Sequence, residues 1–270
     1  MKTIILAGGY GARLQEDIQR LERTDKKAFE YYKKFLNIPK PLLPLQGKPL
    51  LNYIFEKLEE IQMKEVIIRT NAQNYPLFVD WKETYKGPIS VDVISDSSAE
   101  NKHGQGVFGG VLFILEKKKI QEDILILAGD TLFDYGLTEV MQIYNQKKKS
   151  IIVVHKERPE LIRLRGVVQF DEKKRILSYE EKPNEPKSMY AATPTFVFDE
   201  ECVKRITNYM IESKNDQNMG NIVPWLLTKG KEIGVYQTEK EIFDIGNVTS
   251  VKLAEEFLAR RKKEKRDPSP

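Results

Sequence analysis

Short apolar runs rich in β-branched residues recur along the chain, and stretches with one-sided apolar stripes separate them. Thr3 to Ala7, Val66 to Thr70, Val91 to Ile94, Ile124 to Ala128 and Ile151 to Val154 are nearly continuous in apolar character, the pattern of strands buried on both faces of a sheet. Between them Leu51, Ile54, Leu58 and Ile61 repeat at helical spacing, as do Val107, Val111, Ile114 and Leu115, so each segment predicts a helix with one buried face. The alternation predicts an α/β fold with a Rossmann-like, mainly parallel sheet and helices on both faces. From Gly166 the rhythm changes. Val167 to Phe170, Ile176 to Tyr179 and Ala191 to Phe198 follow closely, and the polar segment Asp171 to Arg175 is short enough for a hairpin loop. A smaller, partly antiparallel region is expected here, packed on the first. Val248 to about Lys265 reads as a helix with Leu253, Phe257 and Leu258 on its apolar side. No repeat or low-complexity linker divides the chain, so residues 1–270 are expected to form one fused unit. It comprises a core over 1–155, a second part over 156–246, and a C-terminal helix with a basic tail over 247–270.

Composition narrows the class further. A chain of 270 residues, 40% hydrophobic and 31% charged, suffices for a large core. No apolar run approaches the roughly 18 to 20 residues of a membrane helix, and the first one is too short for a signal peptide. A cytoplasmic location without a membrane partner is therefore expected. The net charge of +4 lies entirely in the last eleven residues, where Arg260, Arg261, Lys262, Lys263, Lys265 and Arg266 face Glu264 and Asp267. With the body neutral, no nucleic-acid partner is expected. Cys202 has no second cysteine to pair with and, beside Val203 and Ile206, reads as a packed thiol. His103 and His155 lack partners at metal-ligand spacing and read as ordinary loop and strand residues.

Four segments carry candidate chemistry. The first strand runs into Gly8-Gly9-Tyr10-Gly11-Ala12-Arg13-Leu14, where glycines let backbone amides approach an anion and Arg13 adds a cation. The spacing is not the Gly-x-Gly-x-x-Gly of a dinucleotide site, and the second strand ends in Arg69-Thr70 without a ribose-binding acid. In Pro39-Lys40-Pro41-Leu42-Leu43-Pro44 the prolines predict an extended, non-helical backbone that holds Lys40 rigidly. Leu125 to Ala128 followed by Gly129-Asp130 puts a carboxylate at the carboxyl edge of a buried strand, where open α/β sheets bind ligands. Asp244 ends another apolar run, and if the fold brings it to Asp130 the pair can share a hard cation. Lys182, before Pro183, reads as an aimed cation, and Glu181 as an acceptor for sugar hydroxyls.

Taken in order, Leu6 to Leu14, Pro39-Lys40-Pro41-Leu42, Gly129-Asp130, Gly166-Val167-Val168, Glu181-Lys182-Pro183 and Asp244-Ile245-Gly246 resemble the sugar-1-phosphate nucleotidylyltransferase family over nearly the whole chain. The stretch Glu181 to Phe198 looks most like bacterial glucose-1-phosphate thymidylyltransferases. The resemblance implies an enzyme that joins a nucleoside triphosphate, dTTP or UTP favoured, to a sugar 1-phosphate, giving a nucleotide sugar and pyrophosphate. It also implies a nucleotide-binding core and a sugar-phosphate-binding part. Residues Leu6, Ala7, Gly8, Gly9, Gly11, Arg13, Gln73 and Gly104 are implied to hold the nucleotide, with Arg13, Lys40 and Asp130 catalytic. Asp130 and Asp244 are implied to ligate Mg²⁺, and Gly166, Glu181, Lys182 and Thr193 to bind the sugar phosphate. A homo-oligomer is possible on the same grounds.

The chain departs from the family in several places. Ala12 replaces a threonine, and a charged amphipathic helical insertion over about 15–38 is expected from Ile18, Leu21, Phe29, Tyr32 and Leu36, as a lid, an oligomer contact or a passive surface. Asn101 to Gly106 differs near the base, leaving the nucleobase open. Thr193-Pro194-Thr195 differs at the sugar pocket, and Asn218 to Asn221 replaces an arginine-glycine-glutamate segment. These differences keep two alternatives in view: another phosphorylated alcohol such as phosphocholine as acceptor, and a catalytically silent nucleotide-sugar-binding regulator.

Overall fold

Each apolar run is too short for a helix and β-branched enough to favour a pleated, buried strand. In the computed structural model, which describes residues 1–96, 107–212 and 219–266, the chain opens with β1 (Lys2–Leu6), α1 (Ala12–Thr24) and α2 (Lys26–Tyr32). It continues with β2 (Pro44–Leu45), β3 (Lys48–Pro49), α3 (Leu50–Glu60), β4 (Glu65–Asn71), α4 (Tyr75–Thr84) and β5 (Ser90–Asp96). Next come α5 (Val107–Lys118), β6 (Ile124–Ala128), β7 (Thr131–Phe133), α6 (Leu137–Lys147) and β8 (Ile151–Lys156). The remainder is β9 (Gly166–Phe170), β10 (Ile176–Glu181), β11 (Tyr190–Phe198), α7 (Glu200–Glu212), α8 (Met219–Thr228), β12 (Gly234–Thr238), β13 (Ile242–Asp244) and α9 (Val248–Arg266). No described helix is long and apolar enough to cross a membrane.

Strands β5, β4, β1 and β6 run parallel in that order. Alternation of side chains sends Ile4 of β1 to one apolar layer, with Val111 and Leu115 of α5 and Val203 and Ile206 of α7. It sends Ile5 to the other, with Leu51 and Ile54 of α3, Phe78 of α4 and Val140 of α6. Helices thus cover both faces, as the pattern predicts.

The antiparallel strands do not form a layer of their own packed on the core. They continue the same sheet through β11. One edge of β11 pairs with β8, and β12 extends that side in parallel. Its other edge pairs first with β9 at Ala191 and then with β6 over Thr195 to Phe198. β9 and β10 form the expected hairpin, closed by the Asp171 to Arg175 turn. Because β6 and β9 share one edge of β11 at different heights, the sheet forks between them, and the fork holds Thr193 and Pro194.

The insertion is helical, as expected, and packs rather than projects. Leu14, Ile18, Tyr32 and Phe35 are buried against Ile245, Val251, Ala254 and Phe257, and the Tyr31 hydroxyl donates to the buried Glu255 carboxylate of α9 at 2.7 Å. Burial beside that carboxylate pushes the Tyr31 phenol up to about 12. The apolar face of α9 is therefore Val251, Ala254 and Phe257. Leu253, expected on that face, is instead exposed at the mouth of a cleft, because the buried stripe follows the contacts with the insertion rather than the strongest hydrophobes. Cys202 is fully buried, and burial pushes its thiol up to about 12.

Asp199 ties α7 to the sheet. Its carboxylate accepts from Cys202 N–H at 2.9 Å and from Ser150 N–H and Oγ at 3.0 and 2.8 Å, and pairs with Lys231 at 2.9 Å. Burial opposes its charge, yet these donors more than offset it and hold the carboxyl below its ordinary 3.8. A carboxyl lowered by folding stabilises the native state at neutral pH; that contribution is lost as pH falls from about 4 through the lowered value. Asp199→Ala is expected to cost about 1 to 3 kcal/mol in urea unfolding at pH 7, and the difference from the parent to shrink below pH 4.

Candidate active site

The backbone geometry after β1 builds an anion site. Ala7 N–H donates to the Arg69 carbonyl at 2.8 Å, Thr70 Oγ1 to the Ala7 carbonyl at 3.3 Å and Asn71 Nδ2 to the Gly8 carbonyl at 3.0 Å, so the end of β4 pins the loop from below. Gly11 caps α1 with φ +69°, a left-handed conformation that glycine adopts without strain. The first turn of α1 carries no acidic residue, leaving its N–H groups and positive end toward an anion. Arg13 sits exposed in that turn, and Ala12 leaves it no hydroxyl.

Lys40 does not lie in an extended segment. Lys40–Leu42 form one 3₁₀ turn, tolerated because a proline in a first turn forfeits only an N–H that has no helical partner. The rigidity expected of it holds: the Lys40 stem runs beneath Gly11, and its Nζ donates to Asp130 Oδ2 at 2.9 Å. Gly129 N–H donates to the Leu6 carbonyl at 2.9 Å, seating Asp130 at the carboxyl edge beside the glycine loop. β13 pairs antiparallel with β7, matching Asp244 with Thr131, and Ile245 N–H donates to the Asp130 carbonyl at 2.9 Å. The two aspartates, 114 positions apart in the sequence, thereby stand on neighbouring strands.

A cleft of about 1510 Å³ opens over this edge. Of the residues expected in the site, Leu6, Gly8, Gly9, Asp130, Gly166, Glu181, Lys182, Thr193 and Asp244 line it. Ala7 is buried just behind the wall, whereas Arg13 and Gln73 are exposed outside the lining. Gly104 and His103 lie outside the described residues. At the far end Gly166 has no side chain, so the Tyr179 hydroxyl packs against it and donates to Glu181 Oε2 at 3.3 Å. Lys182 adopts φ +48°, with its backbone N–H on the Arg165 carbonyl at 2.9 Å and its ammonium largely in solvent. Thr193 lines the cleft at the fork, and its Oγ1 lies 3.3 Å from the hydroxyl of Tyr135.

Several lining residues escaped the sequence reading. Arg165 donates to Glu157 at 3.2 Å and to Asp244 at 3.2 Å, and the nearby His155 is lowered from its ordinary value by burial. Arg69 and Asn71 end β4 within the cleft. A polar residue closing an otherwise apolar strand at its carboxyl end is a signal the sequence does carry, since ligands collect at that edge.

The family model described as nucleotidyl transferase matches residues 36–261. The chain belongs to the nucleotidyl transferase family. Among curated relatives, it is 25% identical over 237 residues to the bifunctional protein GlmU of Methanocaldococcus jannaschii, covering 87% of this chain and 49% of that one. It is 30% identical over 182 residues to the D-glycero-alpha-D-manno-heptose 1-phosphate guanylyltransferase of Campylobacter jejuni, covering 67% of this chain and 69% of that one. The chain thus spans about half the length of the first of these relatives. A solved UDP-glucose pyrophosphorylase complexed with UDP-glucose shares the fold at a TM-score of 0.73 and 18% identity, over 96% of this chain and 98% of that one.

The donor set of this nucleotidyl transferase suits a hard divalent cation. Among the described residues no three His, Cys, Asp or Glu side chains converge as a metal cage, but a pair of carboxylates completed by phosphate oxygens and water is how such ions bind beside nucleotides. Each carboxylate now has a cationic partner, Lys40 for Asp130 and Arg165 for Asp244, so charge is balanced before any metal enters. In Mn²⁺ titrations followed by electron paramagnetic resonance with nucleotide present, Asp130→Asn and Asp244→Asn are each expected to weaken the ion's binding by at least about tenfold, the loss of one charged ligand.

Proposed function

We propose that the chain transfers a nucleoside monophosphate from a nucleoside triphosphate to a sugar 1-phosphate, releasing pyrophosphate. The observation that carries this reading is the meeting of Lys40 and Asp130 at the centre of one cleft. The glycine loop lies on one side of that pair and Gly166, Glu181 and Lys182 on the other. Family membership supports the same reaction class. So does the printed activity of the heptose 1-phosphate guanylyltransferase among its relatives.

In this reading the loop amides from Gly8 to Gly11 and the positive end of α1 hold the β- and γ-phosphates, with Arg13 at their outer side. Lys40 reaches the α-phosphate and the bridging oxygen as the bond to pyrophosphate breaks. The acceptor's phosphate oxygen, already ionised, forms the new bond to the α-phosphorus in line, and pyrophosphate leaves with the electron pair. No general base is needed. Asp130 and Asp244 would hold Mg²⁺, which supplies neutralisation of charge on the phosphate oxygens. Lys182 and Arg165 stand where the acceptor phosphate enters, and Glu181, oriented by Tyr179, accepts from sugar hydroxyls. Gly166 keeps that end open for the ring. dTTP or UTP is the proposed donor, in a cytoplasmic setting.

Pyrophosphate release from dTTP, UTP, GTP, CTP and ATP against a panel of sugar 1-phosphates is expected to occur for at least one pair with Mg²⁺ and to stop with EDTA. Asp130→Asn and Lys40→Met should each lower the rate by at least about a hundredfold, since electrostatics and positioning supply most of this chemistry. No release from any pair, with nucleotide still bound by the parent, would overturn the reading. In the active pair, Gly166→Ala should raise the acceptor KM with the donor KM unchanged, because its Cβ displaces the Tyr179 hydroxyl.

A further inference from the structure

The reaction above gives no part to one buried cation in the cleft. Residues of the cleft fall in strand order along the carboxyl edge. Asp130 follows β6 near the middle, Gly166 and Glu181 belong to β9 and β10 at one end, and Arg69 and Asn71 close β4 at the other. Neighbouring strands stand about 4.8 Å apart, so β4 lies roughly two spacings from β6 on the side away from the acceptor. With the α-phosphorus at Lys40 and Asp130, the nucleoside extends across β1 toward β4.

There it meets Arg69. The residue is only 8% exposed although it lines the cleft. It sits in register with Leu6, and both side chains are part of the cleft lining. Its guanidinium lies between two glycines: a Cβ on Gly8 would collide with Nη1, and one on Gly110 of α5 would stand 2.9 Å from Nε. The backbone beneath is equally fixed, since the Arg69 carbonyl accepts from Ala7 N–H. A long, rotamer-rich cation is thus held in one place at the nucleoside end. Burial lowers the guanidinium from its ordinary value, but it remains charged at neutral pH. Such a group offers donors and no acceptor. A base edge that presents a carbonyl oxygen pairs with it, and one that presents an amino group sets donor against donor in a site shielded from water.

We propose that Arg69 reads the nucleobase, donating to the carbonyl oxygen of uracil, thymine or guanine at the position where cytosine and adenine carry an amino group. This assignment rests on the nucleotidyltransferase reading and adds the residue that selects the donor.

The test is equilibrium binding of UTP, dTTP, GTP, CTP and ATP with Mg²⁺ and no acceptor, to the parent, Arg69→Met and Arg69→Lys, with melting curves to confirm folding. The parent should bind the best keto nucleotide at least about tenfold more tightly than CTP or ATP, the discrimination of one well-placed base contact. Arg69→Met should bring the five within about threefold of one another, chiefly by weakening the keto nucleotides, and Arg69→Lys, which keeps the charge but loses the planar fork, should fall between. A parent without keto preference, or an Arg69→Met that weakens all five equally, overturns the assignment. If Arg69→Met does not fold, Arg69→Lys decides: selectivity at the parent's level overturns it, and a drop of at least about threefold supports it. A parent that turns over sugar 1-phosphate with selectivity indifferent to Arg69 sinks only this inference, whereas a parent that binds no nucleotide sinks the reaction as well.

Discussion

Much of the molecule follows from β11 having two partners along a single edge. Near its start it pairs with β9, and from Thr195 onward with β6, while β8 occupies its other edge throughout. Two strands cannot share one edge at the same height, so the sheet must part between β6 and β9. The gap falls at Thr193-Pro194, where proline has no N–H to offer a ladder, and the hydroxyls of Thr193 and Thr195 turn to Tyr135 inside the core. Tyr135 is fully buried, and burial pushes its phenol up to about 12, so it stays neutral as it fixes the fork. The hairpin of β9 and β10 is thereby carried away from β6, and the space between becomes the acceptor end of the cleft.

The reacting centre depends on the other side of β6. There Asp130 is positioned by covalent continuity with the strand, and Asp244 by the β13–β7 pairing and the Ile245 N–H on the Asp130 carbonyl. Each carboxylate is matched by a cation, Lys40 or Arg165, so the cleft gathers charge without a large local imbalance. This fits a chain whose body is neutral and whose excess positive charge is confined to its last eleven residues. A balanced site of this kind meets the negative charge of phosphates with mobile side chains and loop amides, which exchange carboxylate partners for phosphate oxygens rather than create a permanent positive well.

The parallel half was legible from the sequence because its signal is local. Strands buried on both faces leave continuous apolar runs, and Asp130 could be read as a site residue from its place at the end of one. The hairpin was legible from two short runs around a polar turn. What escaped depends on pairing between distant segments. Nothing local in Ala191 to Phe198 says that it joins β6 and so makes one sheet of both regions. Nor does Arg165 announce that its guanidinium spans Glu157 and Asp244, residues that the chain brings together only after β8, β9 and β13 are in place. Leu253 misled because apolar residues at helical spacing mark a stripe without saying which edge of it is covered. Gln73 and Arg13, taken from a resemblance in order of motifs, lie outside the lining, since sequence order fixes a loop's neighbours but not the direction of its side chains.

The insertion joins these two levels. It begins at Gly11, the residue that closes the glycine loop, and its far end is fastened to α9 through Tyr31 and Glu255 and through the cluster around Ile18, Phe35, Val251 and Phe257. α9 in turn presents Leu253, Glu256, Phe257 and Arg260 to the mouth of the cleft. A shift of the loop toward phosphates therefore cannot occur without straining contacts that also hold the cleft's outer wall, because packed interfaces move between discrete arrangements rather than deforming continuously. Helix α1 and helix α9 thus form one mechanical element spanning the anion site and the cleft mouth, and the packing within it, more than the length of the insertion, decides how far the loop can follow its ligand.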